Sequence, residues 1–195
     1  MKPAVGNLYD KYDTNNPIAR WLMHRFLVSV TDLARGVAPQ SLLDVGCGEG
    51  RLSQHLFEQL APARVEACDL SLERISPHCD PRIQFQTASV YALPFADAEF
   101  DLVLCCEVLE HLERPRDALV ELARVTRRAL LLSTPHEPWF RGMNLLRGAH
   151  LATLGNTPGH LQQFGPRTLR RLVEGTMRIT QERRVLPWIV VLAEP

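Results

Sequence analysis

Short apolar runs alternate with stretches of helical period along most of this chain. Ser41–Val45, Arg64–Asp69, Ile83–Thr87, Phe100–Cys105 and Ala129–Ser133 read as buried strands, and Ile179–Val185 and Trp188–Ala193 add two more near the end. After the first run, Leu52, Leu56 and Leu60 share one helical face, flanked by His55 and Phe57. Leu119, Leu122 and Ala123 mark another helix before the fifth run. Strands that alternate with helices build parallel βαβ units, so the pattern predicts an α/β fold with a doubly wound sheet. Runs as continuously apolar as Leu-Val-Leu-Cys-Cys and Ala-Leu-Leu-Leu fit strands covered on both faces.

Two segments stand outside the alternation. Residues 17–35 predict a helix opened by Pro17, with Trp21, Leu22, Phe26, Val30 and Leu33 as contacts. Its Arg20, His24 and Arg25 are left to face solvent or a ligand. Residues 135–166 hold four prolines, five glycines and three histidines, with apolar Trp139, Phe140, Met143, Leu145 and Leu146. A segment this long between sheet elements is usually functional, which makes it the candidate substrate lid and points to an acceptor with an apolar body.

Composition narrows the classes. A chain of 195 residues, 46% apolar and 23% charged, fits a single domain spanning 1–195, with 1–37 as an N-terminal cap helix. Basic and acidic residues balance, 22 against 22, which excludes a chain-wide electrostatic grip on nucleic acid or an anionic membrane but leaves a local basic patch open. No apolar run reaches the roughly 20 residues that span a bilayer. The polar start, Met-Lys-Pro-Ala-Val-Gly-Asn, gives no signal core, so a cytoplasmic location is expected. Cys47, Cys68, Cys79, Cys105 and Cys106 show no paired spacing and read as small buried thiols, with Cys105 and Cys106 sent to opposite strand faces.

The densest chemistry lies in Leu42-Leu43-Asp44-Val45-Gly46-Cys47-Gly48-Glu49-Gly50, where an apolar strand ends in alternating glycines. The dinucleotide fingerprint would place its third glycine at position 51, which is Arg51. A pyrophosphate also prefers neutral or basic company, whereas a ligand carrying an ammonium and a sulfonium tolerates Asp44 and Glu49. Asp69, at the end of the second run, is placed for a ribose diol, and Leu70 for packing on an adenine.

With Asp44–Gly50, Asp69-Leu70, Leu93-Pro94-Phe95, Phe100-Asp101 and Glu107-Val108-Leu109-Glu110-His111, the chain resembles the class I S-adenosylmethionine-dependent methyltransferases, in the group of the ubiquinone-biosynthesis enzymes. The likeness covers about residues 38–135 and implies a Rossmann-like seven-stranded sheet with an antiparallel final strand. It implies that Asp44, Gly46, Cys47, Gly48 and Gly50 surround the methionine part of S-adenosyl-L-methionine, with Cys106 nearby. Asp69 and Leu70 would hold the ribose and adenine, and Ser89 and Val90 the adenine edge. Many relatives carry an aspartate where this chain has Ser89, which leaves the adenine amino group to a weaker partner or to backbone.

Methyl transfer from a sulfonium is an in-line displacement, so alignment and water exclusion come first and a base helps only where the acceptor must lose a proton. His111, His136 and His160 are the candidates for that base. The Glu107, Glu110, His111 spacing also resembles the metal site of small-RNA 2′-O-methyltransferases and of ubiquinone-biosynthesis O-methyltransferases. On a helix the three would share a face, and of the two candidates for a further histidine, His136 and His160, His160 fits the order of elements better to complete a site for Mg, Mn, Fe or Zn. The resulting expectation is methyl transfer to a small molecule, at oxygen first, with metal assistance open. The alternatives are a metal-dependent RNA 2′-O-methyltransferase and a non-catalytic binder of S-adenosylmethionine or its product. A nucleic-acid partner is not expected on a neutral chain without an RNA-binding module, nor is a membrane partner.

Overall fold

A computed structural model describes residues 16–136 and 161–195. The chain enters through a capped helix: the Asn16 side chain accepts hydrogen bonds from the Ile18 and Ala19 amides at 2.9 and 3.2 Å, and Pro17 fills the first helical position. In chain order the elements are α1 (Pro17–Val37), β1 (Ser41–Val45), α2 (Arg51–Leu60), β2 (Arg64–Asp69), β3 (Gln84–Thr87) and β4 (Phe100–Cys106). After a single 3-10 turn (Leu109–His111) come α3 (Pro115–Val125), β5 (Thr126–Pro135), α4 (Pro166–Glu174), β6 (Arg178–Val185) and β7 (Trp188–Glu194).

The strands form one seven-stranded sheet in the order β3-β2-β1-β4-β5-β7-β6. The first five pair in parallel, and β7 inserts antiparallel between β5 and β6. Side-chain alternation divides the core into two layers. Leu42, Leu102, Leu104, Leu131, Val190 and Leu192 pack under α1 and α2. Leu43, Val103, Cys105, Leu130, Leu132 and Val191 pack under α3 and α4. Cys105 and Cys106 accordingly fall on opposite faces.

Strand β5 is longer than its apolar stretch suggests. Thr126 closes α3 by donating its hydroxyl to the Leu122 carbonyl at 2.6 Å, and Arg127 then donates to Asp101 of β4 at 2.9 Å. Those polar residues enter the sheet because each has a partner, which apolar periodicity cannot register. A second departure matters more for the site. Glu107 has φ +59° and precedes one 3-10 turn, so Glu107, Glu110 and His111 do not lie along a face of an α-helix.

The topology places the functional edge. Strand β1 is flanked by β2 on one side and β4 on the other, the point where strand order reverses, and a crevice opens there beyond the carboxyl ends. Residues 38–40 join α1 to the amino end of β1, so α1 runs antiparallel to the strand and its first turns lie toward the same carboxyl edge.

Leu131, fully buried at the centre of β5, tests the layer assignment. Leu131→Ala is expected to cost about 2–5 kcal/mol, read as a lower urea midpoint with an unchanged denaturant slope.

Candidate active site

At the end of β1 the backbone turns under Val108. Gly46 has φ +77°, and a Cβ there would stand 2.3 Å from Val108 Cγ2, so both the conformation and the space demand glycine. Gly48, at φ +56°, is the opposite case: nothing lies within 4 Å of where its Cβ would be. The open face of the loop is therefore at Gly48, where a ligand can approach bare backbone. Gly50 closes the loop against the Cys79 and Phe85 side chains.

The loop is stitched to the end of β2. The Gly46 and Cys47 amides both donate to the Cys68 carbonyl, at 2.8 and 3.1 Å. One oxygen of Asp69 accepts from the Gly48 amide at 2.8 Å, and the other accepts from the Leu70 amide at 2.7 Å. Asp69 thus orients the glycine loop with one oxygen and its own strand end with the other, and each oxygen keeps a lone pair for a hydroxyl of a diol. Leu70 beside it is 59% exposed, an apolar surface available for a flat ring. Glu49 is held by Arg74 at 2.8 Å, which leaves Asp44 and Asp69 as the acids of the inner loop.

Asp44 sits deeper than a ligand-contacting residue needs to. It is buried in β1 and accepts a hydrogen bond from the Ser53 hydroxyl at 2.6 Å. Burial pushes its carboxyl up to about 6, against the lowering effect of Ser53 and with a smaller raising effect from Asp69. Ser53 escaped the motif reading; its signal is a polar residue one turn past Gly50 between the core positions Leu52 and Leu56. Burial likewise raises the Cys47 and Cys106 thiols and pushes Cys68 up to about 12, so all three stay neutral and pack rather than react.

Beyond β2, the Ala88 amide donates to the Asp69 carbonyl and Ser89 caps a tight turn. Its carbonyl accepts from the Ala92 amide at 3.0 Å and its hydroxyl from the Tyr91 amide at 3.3 Å. Ser89 is at the rim near Asp69, whereas Val90 points into the core and is not a surface contact.

The residues expected on the acceptor side follow β4 and β5. Cys106 is in register with Ser133, and the Glu107 amide donates to the Ser133 carbonyl at 3.0 Å. His111 lies in the 3-10 turn, and the buried Glu110 uses its backbone carbonyl to accept from the Leu161 and Gln162 amides at 2.8 and 3.0 Å. His136 follows β5 directly and donates its backbone amide to the Pro187 carbonyl at 2.8 Å. Its ring Nδ1 is buried and has no hydrogen-bond partner among the described residues. Burial, aided by Arg184, lowers its basicity, so the imidazole is neutral at neutral pH.

His160 and the apolar lid residues Trp139, Phe140, Met143, Leu145 and Leu146 lie outside the described residues. Among the described residues, no group of three or more His, Cys, Asp or Glu is placed to hold a metal ion. The expected Glu107, Glu110, His111 face is corrected for the reason given above: the segment is a 3-10 turn with a left-handed residue before it, not a helix. A cleft of about 510 Å³ between the start of α3 and α4, lined by Arg114, Arg116, Phe164 and Arg171 among others, includes none of the expected cofactor residues.

Asp44 carries the pH prediction. The native carboxyl titrates near 6 and the unfolded one near 3.8, so between those values the native state binds more protons and stability falls as pH rises. Asp44→Asn keeps the acceptor for Ser53 and is expected to flatten that slope in urea midpoints of the ligand-free protein.

Residues 43–131 match the family model described as Methyltransferase domain. The chain is 35% identical over 120 residues to a demethylmenaquinone methyltransferase of Renibacterium salmoninarum, covering 60% of this chain and 50% of that protein. It is 37% identical over 90 residues to a mitochondrial ubiquinone biosynthesis O-methyltransferase of Schizosaccharomyces pombe, covering 43% of this chain and 32% of the relative. It therefore spans half or less of the length of these relatives. In architecture it is similar to the magnesium protoporphyrin IX methyltransferase of Synechocystis PCC 6803, solved with bound S-adenosylhomocysteine: TM-score 0.68, 23% identity, 94% of this chain and 89% of that one. Residues 43–131 thus match a methyltransferase domain, and with the seven-stranded order, the Gly46–Gly50 loop and the Asp69 hook all present the chain is similar to the class I S-adenosylmethionine-dependent methyltransferases.

Proposed function

We propose that the protein transfers the methyl group of S-adenosyl-L-methionine to a small-molecule acceptor, with oxygen as the first choice of acceptor atom. The observation that carries the reading is the glycine loop, open at Gly48 and held by Asp69 at the point where strand order reverses. These residues fit the cofactor: bare backbone for its methionine part, a carboxylate with free lone pairs for its ribose, and the exposed Leu70 beside them for its adenine. The cofactor, when bound, supplies a methyl group made electrophilic by a sulfonium. What the chain must add is alignment, exclusion of water and, for a hydroxyl acceptor, a place for the proton.

His136 is the residue we assign to that proton. It stands at the carboxyl edge, beside the paired ends of β4 and β5, with a neutral ring and a buried nitrogen that no described residue occupies. Relatives carry names that include demethylmenaquinone, ubiquinone biosynthesis and malonyl-[acyl-carrier protein], two of them specifying O-methyl transfer, which supports oxygen and an acceptor of modest size. The RNA and non-catalytic readings are not better supported.

Asp69→Ala is expected to weaken S-adenosylhomocysteine binding at least about tenfold, because it removes a charged hydrogen-bond acceptor and the hook on Gly48 together. Calorimetric titration measures it, and an unchanged affinity would remove the cofactor site from this edge. His136→Gln should leave that affinity intact and slow methylation of a catechol or quinol panel by about 10²–10⁴-fold. The wild-type rate should rise with pH below neutrality as the imidazole loses its proton, and the variant should lack that limb.

A further inference from the structure

The outer face of α1 is unlike that of a solvated helix. Ile18, Trp21 and Val28 lie along it with 67%, 55% and 45% exposure, and the Arg25 guanidinium stacks over the Trp21 ring at 4.9 Å. Arg20 and His24 are exposed beside the stripe. From Asn16 to Thr31 the chain has no acidic residue. Asp32, the first acid, faces Arg35 and Arg183 at 3.7 and 3.6 Å. The opposite face is spent on the core through Met23, Phe26, Val30 and Leu33, with Phe26 against Trp188 at 5.0 Å between ring centres.

We propose that this face of α1 docks the protein on a bilayer surface carrying anionic headgroups. A tryptophan flanked by aliphatic residues and arginines matches the boundary between acyl chains and phosphates, where the indole is half in each environment and each guanidinium meets a lipid phosphate. The chain as a whole is neutral, so the attraction is a property of this patch and not of the molecule. A second copy of the chain fits the face less well. A two-fold contact would bring Arg20 and Arg25 against the same residues of the partner, while stable interface cores are depleted in charge. The location gives the docking a use. The first turns of α1 lie toward the carboxyl edge of the sheet, so a surface bound there runs beside the cofactor loop. An acceptor dissolved in the bilayer would be met at the mouth of the site.

The test uses the full chain and extruded vesicles of phosphatidylcholine with and without phosphatidylglycerol. The wild type is expected to co-sediment with the anionic vesicles, to be released by salt and to show a blue shift of tryptophan emission on binding. Ile18→Ser with Trp21→Ser should weaken vesicle binding at least about tenfold. Arg20→Glu with Arg25→Glu should abolish the preference for phosphatidylglycerol. In both variants S-adenosylhomocysteine affinity and far-ultraviolet circular dichroism should match the wild type, which separates lost docking from lost folding. Failure of the wild type to bind anionic vesicles overturns the proposal, as does binding that both variants retain. A wild-type dimer that ignores vesicles and becomes monomeric in the Ile18/Trp21 variant assigns the face to a second copy instead.

Discussion

The turn that β1 makes at Gly46 constrains everything at the carboxyl edge. The strand emerges from a core that covers it on both faces, and the next residue must adopt positive φ with Val108 pressed against its α-carbon. Only glycine satisfies both conditions. Val108 in turn sits between the end of β4 and the 3-10 turn, so one contact ties the glycine loop to the segment that follows β4. The hydrogen bonds from Gly46 and Cys47 to Cys68, and from Gly48 to Asp69, then hold the loop to β2. Three strands are registered to one another by a few backbone groups, and the rest of the sheet supplies the rigidity that keeps them there.

Inside that frame the charges are unevenly hydrated. Glu49 has an arginine, and Asp69 has two amides and stands at the surface. Among the described residues, Asp44 has only a serine hydroxyl as side-chain partner and is sealed under α2. A buried acid with one neutral partner is a standing cost to the apo fold above its titration point. A positively charged ligand in the crevice would lower that cost, which couples occupancy of the site to the stability of the strand beneath it.

Much of this was readable from the chain. The seven apolar runs became seven strands because a doubly wound sheet buries its central strands on both sides, which leaves an uninterrupted apolar signature in β1, β4 and β5. The glycine loop was readable because its left-handed backbone permits few residue types. The acceptor side was not. Glu107, Glu110 and His111 carry a helical spacing, but the preceding strand delivers the chain with Glu107 in the left-handed region, and one short turn is all that forms. Spacing describes a face only when the backbone is known to be helical.

The two fixings on either side of residues 137–160 bear on the length of chain between them. His136 is pinned to Pro187 at one end, and Leu161 and Gln162 to the carbonyl of Glu110 at the other. The intervening chain can be replaced or lengthened while both stumps stay where the sheet puts them, and each doubling of such a length costs only about 0.6 kcal/mol in closure entropy. A change of length between those two points therefore leaves the Gly46–Gly50 loop and its hydrogen bonds to β2 untouched.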